Sequence, residues 1–298
     1  MNNFPARIMR TIIALLLLVS TFTAQAAPRV VVSLKPLHSL TAMLMQDVAE
    51  PVLLSNGAID PHHFSLRPSQ RRQLAQADLV IWVGPQLETA LAKAITAQAQ
   101  QLALMNAALP VRLPARSTRH PHHDAFDPHI WLSPDNARSI VEQIAHRLIA
   151  LDAGHRDQYR HNLRKARQQI DTLEQQIRQQ ANWRDISYMA WHDSYQYFEQ
   201  HFGLRFAGAL RHSDGQHASA RQLSSLHRQL RASDTPCVVH DSQPPPASLA
   251  GFTGDSRARL VYIDVLGHSL DAGAGLWPNL MRQMAQGFVQ CAANRFSP

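Results

Sequence analysis

From residue 155 to about residue 181 the chain runs without a glycine or proline, and Leu163, Ala166, Ile170, Leu173 and Ile177 recur at three- and four-residue steps. That spacing puts them on one face of a helix, while Arg, Lys, Gln, Asp and Glu occupy the other. At 1.5 Å per residue, a helix of about 25 residues spans roughly 37 Å, well beyond the mean globular helix. It lies midway along 298 residues, so it predicts two lobes joined by one helix. A long surface helix on a single domain fits the same pattern.

On both sides of that helix, short β-branched runs alternate with amphipathic stretches, as in parallel sheets with helical crossovers. Strands are expected at 29–33, 52–55, 79–83, 186–191, 204–207, 237–240 and 260–264. The expected fold class is therefore α/β: lobes 27–154 and 182–298, each a mostly parallel sheet flanked by helices, bridged by one long rigid helix over 155–181. Ser133-Pro134-Asp135 should start a helix reaching about Leu151. Serine caps it, proline presets the first φ, and the aspartate faces the positive end of the dipole. No internal repeat stands out.

Residues 1–26 carry Arg7 and Arg10, an apolar core at 12–19, and Ala24-Gln25-Ala26. These are the three parts of a secretory signal peptide. The apolar run is shorter than the roughly 20 residues that span a bilayer, so an exported product without a membrane anchor is expected. In an oxidising compartment its two cysteines, Cys237 and Cys291, can pair, tying a strand to the C-terminal helix at a gain of about 2–4 kcal/mol. Two buried free thiols are the alternative.

The net charge of +7 falls to +5 once Arg7 and Arg10 are removed. The basic residues are scattered, and no basic run is interleaved with aromatics. No nucleic-acid partner is expected.

In open α/β sheets, ligands bind beyond the carboxyl ends of strands. That rule selects from the 17 histidines. His62 and His63 follow the strand near Val52, and His129 directly precedes the capped helix at Pro134. His192 ends the strand Tyr188-Met189-Ala190-Trp191, and Asp264 ends the strand Leu260-Val261-Tyr262-Ile263. Three neutral imidazoles and a carboxylate suit a first-row transition metal, zinc first among them, with Asp264 or water in the fourth position. None of these segments is a compact metal motif of the HExxH or CxxC kind.

The stretches Pro61-His62-His63-Phe64-Ser65-Leu66-Arg67-Pro68-Ser69, Asp127-Pro128-His129-Ile130-Trp131-Leu132, His192-Asp193-Ser194-Tyr195-Gln196-Tyr197-Phe198 and Asp264-Val265-Leu266-Gly267 together resemble the signature segments of metal-specific substrate-binding proteins of ABC importers. The resemblance is strongest to the periplasmic zinc-binding proteins of high-affinity zinc uptake. It implies that His62, His129 and His192 are the imidazole ligands, with Asp264 as ligand or neighbour, and that Zn²⁺ is the transported cargo. It further implies a disulfide between Cys237 and Cys291, a periplasmic monomer, and a membrane permease with a separate ATPase as partner. Two departures matter: Pro61 stands where some zinc members carry an acidic residue, and the usual acidic histidine-rich loop is reduced to Arg119-His120-Pro121-His122-His123-Asp124.

Manganese capture is the alternative within this class, but manganese favours more oxygen ligands. A secreted zinc hydrolase is the alternative from another class. It needs a placed general base, and none of Glu50, Glu88, Glu142, Glu174 and Glu199 adjoins a candidate ligand, although Asp60, Asp127 and Asp193 do. No catalytic residue is assigned and no enzyme is expected. His63 reads as a loop residue. His146, His155, His161, His201 and His227 fall on helical patterns, where a surface position is the default.

Overall fold

The structure, a computed structural model, describes residues 26–54, 61–63, 65–95, 100–116, 126–212, 217–232, 237–254, 256 and 258–292. The leader and the histidine tract at 120–123 lie outside these residues, as does the side chain of His63.

The first sheet comprises β1 (Val30–Val32), β2 (Val52–Leu53), β3 (Leu79–Trp82) and β4 (Gln100–Ala103), in the order β2-β1-β3-β4. The second comprises β5 (Ser187–His192), β6 (Arg205–Arg211), β7 (Cys237–His240) and β8 (Arg259–Tyr262), in the order β6-β5-β7-β8. Among the described residues, every pairing between these strands is parallel. β1 and β3 are buried along their whole length, which explains their unbroken apolar sequences. β4 was not expected. Its Gln-Gln-Leu-Ala run lacks a β-branched residue and forms the sheet edge, where only Leu102 is buried.

Both orders reverse direction at the same place, between β1 and β3 and between β5 and β7. Each sheet thus has one switch point, where a crevice opens at the carboxyl ends of the strands.

The helices are α1 (Lys35–Met45), α2 (Pro68–Ala75), α3 (Thr89–Ala92), α4 (Pro134–Leu151), α5 (Arg156–Arg178), α6 (Gln196–Phe202), α7 (Ala220–Ala232), α8 (Ala247–Thr253) and α9 (Leu276–Ala292). α5 is the expected long helix, 23 residues in length, burying Tyr159, Asn162, Ala166, Ile170, Leu173 and Ile177. It packs on α1, α4 and α9, and Arg138 of α4 pins it by pairing with Asp171 and Glu174. Ser133 caps α4 as expected, accepting from the Asn136 amide at 3.2 Å. His201 departs from the surface default. Its side chain is 7% exposed and is held between Asp135 and Glu174.

One apolar core runs through both lobes, from Val30 and Ile81 of the first sheet to Tyr188 and Val239 of the second. Two buried tryptophans sit at the seam. Trp277 Nε1 donates to the Trp131 carbonyl at 2.8 Å, and Trp131 Nε1 donates to the Val265 carbonyl at 2.8 Å, so both indole N–H groups are satisfied. Cys237 of β7 is bonded to Cys291 of α9, with Cα atoms 5.2 Å apart, and there is no free thiol. No helix among the described residues is long and apolar enough to cross a membrane.

Candidate metal centre

Three separate pieces of chain deliver the three histidines. His62 lies in the 3-10 turn Pro61–His63, between β2 and α2. His129 immediately precedes the turn Ile130–Leu132 that leads into α4. His192 is the last residue of β5, at the switch point of the second sheet. Their ring centroids are 6.1 Å (His62–His129), 5.6 Å (His62–His192) and 5.2 Å (His129–His192) apart. One nitrogen from each lies within 4.8 Å of the others. Tetrahedral zinc, with bonds of about 2.0–2.1 Å, needs nitrogens about 3.3 Å apart. An inward shift of about an ångström makes up the difference.

Each of two imidazoles has its own carboxylate. Asp127 Oδ1 accepts from His129 Nδ1 at 2.7 Å and from the His129 amide at 2.9 Å. His192 Nδ1 lies 2.8 Å from Asp241 Oδ2. Such partners fix the tautomer, turn Nε2 toward a metal and raise its basicity. The His192 Nε2 atom is buried with no hydrogen-bond partner. An orphaned imidazole nitrogen there is costly without a ligand.

Further carboxylates lie just behind the rings. Asp193 and Glu199 share Arg116, which stacks its guanidinium 4.0 Å over the Phe206 ring. Burial first, and then the charge of Asp127, push the Asp193 carboxyl up to about 7, against the pull of Arg116. The carboxylates in contact with the imidazoles are Asp127 and Asp241, and these are the groups placed to offset the charge of a divalent cation.

Asp264 lies two residues past β8 and lines the same cavity, a space of about 460 Å³ bounded by residues of both lobes, including His62, His129, His192, Asp241 and His268. It is not within the compact tri-histidine set. Its carboxylate accepts instead from the amides of Leu266 and Gly267, each at 2.9 Å, and of Ser269 at 3.4 Å. Asp241 escaped the sequence reading, although its place just after the strand at 237–240 was the available signal.

Two parallel α/β lobes on one core, a long central helix and three imidazoles converging in the cleft define a metal-specific substrate-binding protein. Comparison with known proteins agrees. Residues 30–291 match the family described as ZnuA: Zinc-uptake complex component A periplasmic, and the chain belongs to that family. The high-affinity zinc uptake system protein ZnuA of Yersinia pestis is 30% identical, across 93% of this chain and 94% of its own. The protein of the same name from Brucella abortus (strain 2308) is 29% identical, across 88% and 91%. A crystal structure of ZnuA superposes with a TM-score of 0.74 at 24% identity, covering 90% of this chain and 99% of that one. The substrate-binding protein FpvC of Pseudomonas aeruginosa, solved with Mn²⁺, gives 0.79 at 21% identity, covering 90% and 99%. At these identities the structural likeness speaks to the fold.

Proposed function

We propose that the protein captures Zn²⁺ between its lobes through His62, His129 and His192, with Asp264 or a water completing the tetrahedron. It carries the ion, as a periplasmic monomer, to an ABC permease driven by a separate ATPase. The observation that carries this reading is the convergence of three imidazole nitrogens within 4.8 Å of one another, one ring backed by the buried Asp127 and another by the partly buried Asp241. Neutral imidazole is a strong ligand for zinc, whereas manganese prefers oxygen donors. The zinc-uptake names of the family and of its relatives point the same way.

Among the described residues, the carboxylates around the cluster support transport over hydrolysis; Asp60 lies outside them. Asp127 and Asp241 are engaged by imidazoles, Asp193 by Arg116 and Asp264 by loop amides, so none of these four is placed as a general base. The same reading divides the chain into lobes at 27–154 and 182–298 and a linking helix over 155–181; two separate parallel sheets with the helix Arg156–Arg178 between them in sequence support it.

Native mass spectrometry of protein purified without added metal, followed by competition between zinc and manganese, tests the proposal. One zinc per chain, held against excess manganese, is expected. Displacement of zinc by equimolar manganese contradicts it.

A further inference from the structure

We propose that Lys35 and Asp264 clamp the cleft loop 264–270 between the two lobes, Asp264 anchoring that loop instead of ligating the metal and Lys35 governing how fast the metal leaves. The inference rests on the zinc site proposed above and deepens it.

The loop is held from both sides by opposite charges. Its amides at Leu266, Gly267 and Ser269 point to the Asp264 carboxylate, which follows β8 of the second lobe. Its carbonyls at Gly267, His268 and Leu270 accept from Lys35 Nζ at 3.2, 3.1 and 2.9 Å. Lys35 begins α1 of the first lobe, a helix buried along its whole length. The ammonium has three N–H groups, and here each finds a carbonyl. Gly267 sits at φ 70°, a left-handed turn that suits glycine. An added Cβ there would meet Leu276 Cδ2 at 3.0 Å.

The loop is also coupled to a ligand. Val265 accepts the Trp131 indole N–H, and the Trp131 ring lies 5.4 Å from that of His129. Oδ1 of Asp264 is taken up by the amides of Leu266 and Gly267, and no Asp264 oxygen belongs to the group of imidazole nitrogens that lie within 4.8 Å of one another, so the loop would have to move inward for Asp264 to ligate. Three imidazoles with water in the fourth position are consistent with the clamped loop. Because the loop and His268 form one wall of the cavity, releasing the clamp opens a path for the ion.

The test uses the full mature chain with zinc alone, its release timed against excess chelator, and with Co²⁺ as a spectroscopic probe of coordination. The variants are Lys35→Met, which keeps the aliphatic stem, and Asp264→Asn, which keeps the shape. Each is expected to release zinc about tenfold faster, roughly the effect of losing one charge-assisted contact set, with the visible Co²⁺ spectrum unchanged. A purely structural lysine would lower the melting temperature of metal-free protein without changing the release rate. Wild-type release rates in folded Lys35→Met overturn the clamp. A shifted Co²⁺ spectrum in Asp264→Asn overturns the anchoring role, and that variant carries the test if Lys35→Met does not fold. Failure of wild type to take up zinc would instead overturn the underlying site.

Discussion

His192 Nδ1 lies 2.8 Å from Asp241 Oδ2, although 49 positions separate the two residues in sequence. The parallel pairing of β5 with β7 places both at the crevice of the second sheet. The carboxylate turns Nε2 of His192 toward the other two histidines and stabilises positive charge on the ring as metal binds.

Asp241→Asn is therefore expected to weaken zinc binding about 10- to 100-fold, the usual cost of losing an outer carboxylate, while the protein stays folded. Asp127→Asn should act in the same way through His129. Chelator-competition titration with parallel circular dichroism checks both.

The same contact sets the pH range of binding. Burial disfavours the charged His192 ring, but the hydrogen bond and charge of Asp241 outweigh it and hold the pKa above the ordinary 6.5. A proton on Nε2 competes with the metal. Affinity is therefore full above the raised pKa and falls as the pH drops through it, starting at a higher pH than for an unperturbed histidine. Asp241→Asn should move that onset to lower pH. Zinc retention at pH 5 equal to that at pH 8 would contradict the imidazole ligands.

Away from the site, Glu174 couples stability to pH. Burial opposes its ionisation, yet hydrogen bonds from Arg138, Arg178 and His201 pull the carboxyl down to about 2. Its contribution is present above the unfolded value of 4.5 and is lost as the pH falls through about 2. Glu174→Gln should destabilise the protein at pH 7 and do so less at pH 3, as measured by urea unfolding. An equal difference at both pH values would contradict the network.

The disulfide closes a segment of 54 residues. Chain entropy alone makes its removal worth about 4 kcal/mol. Reduction should therefore lower the melting temperature markedly while zinc stoichiometry stays at one, because none of the three histidines lies within that segment.

What could be read from the sequence was mostly local. The long helix declared itself because its apolar period is internal, and the Ser133 cap because its partner is three residues away. β4 stayed hidden, since an edge strand with one buried side chain needs little apolar pattern. The matching strand orders of the two sheets left no sequence repeat, because parallel topology constrains connections more than side chains. His62, His129 and His192 could be picked by their positions beside strands and turns. Asp241 carried the same signal, standing just after the strand at 237–240, and was missed because its role depends on the pairing of β5 with β7; the Lys35 contacts left no such mark, for they depend on how the lobes meet across more than two hundred residues. His201 misled for the same reason: a helix pattern does not show that α4 and α5 bring Asp135 and Glu174 to its ring.

The central claim, that three imidazoles hold the ion, is met most directly by zinc titration of His129→Ala beside wild type. Wild type is expected to bind one equivalent, and the variant, folded and disulfide-bonded, to lose affinity by orders of magnitude. Binding by His129→Ala with wild-type affinity would place the metal elsewhere.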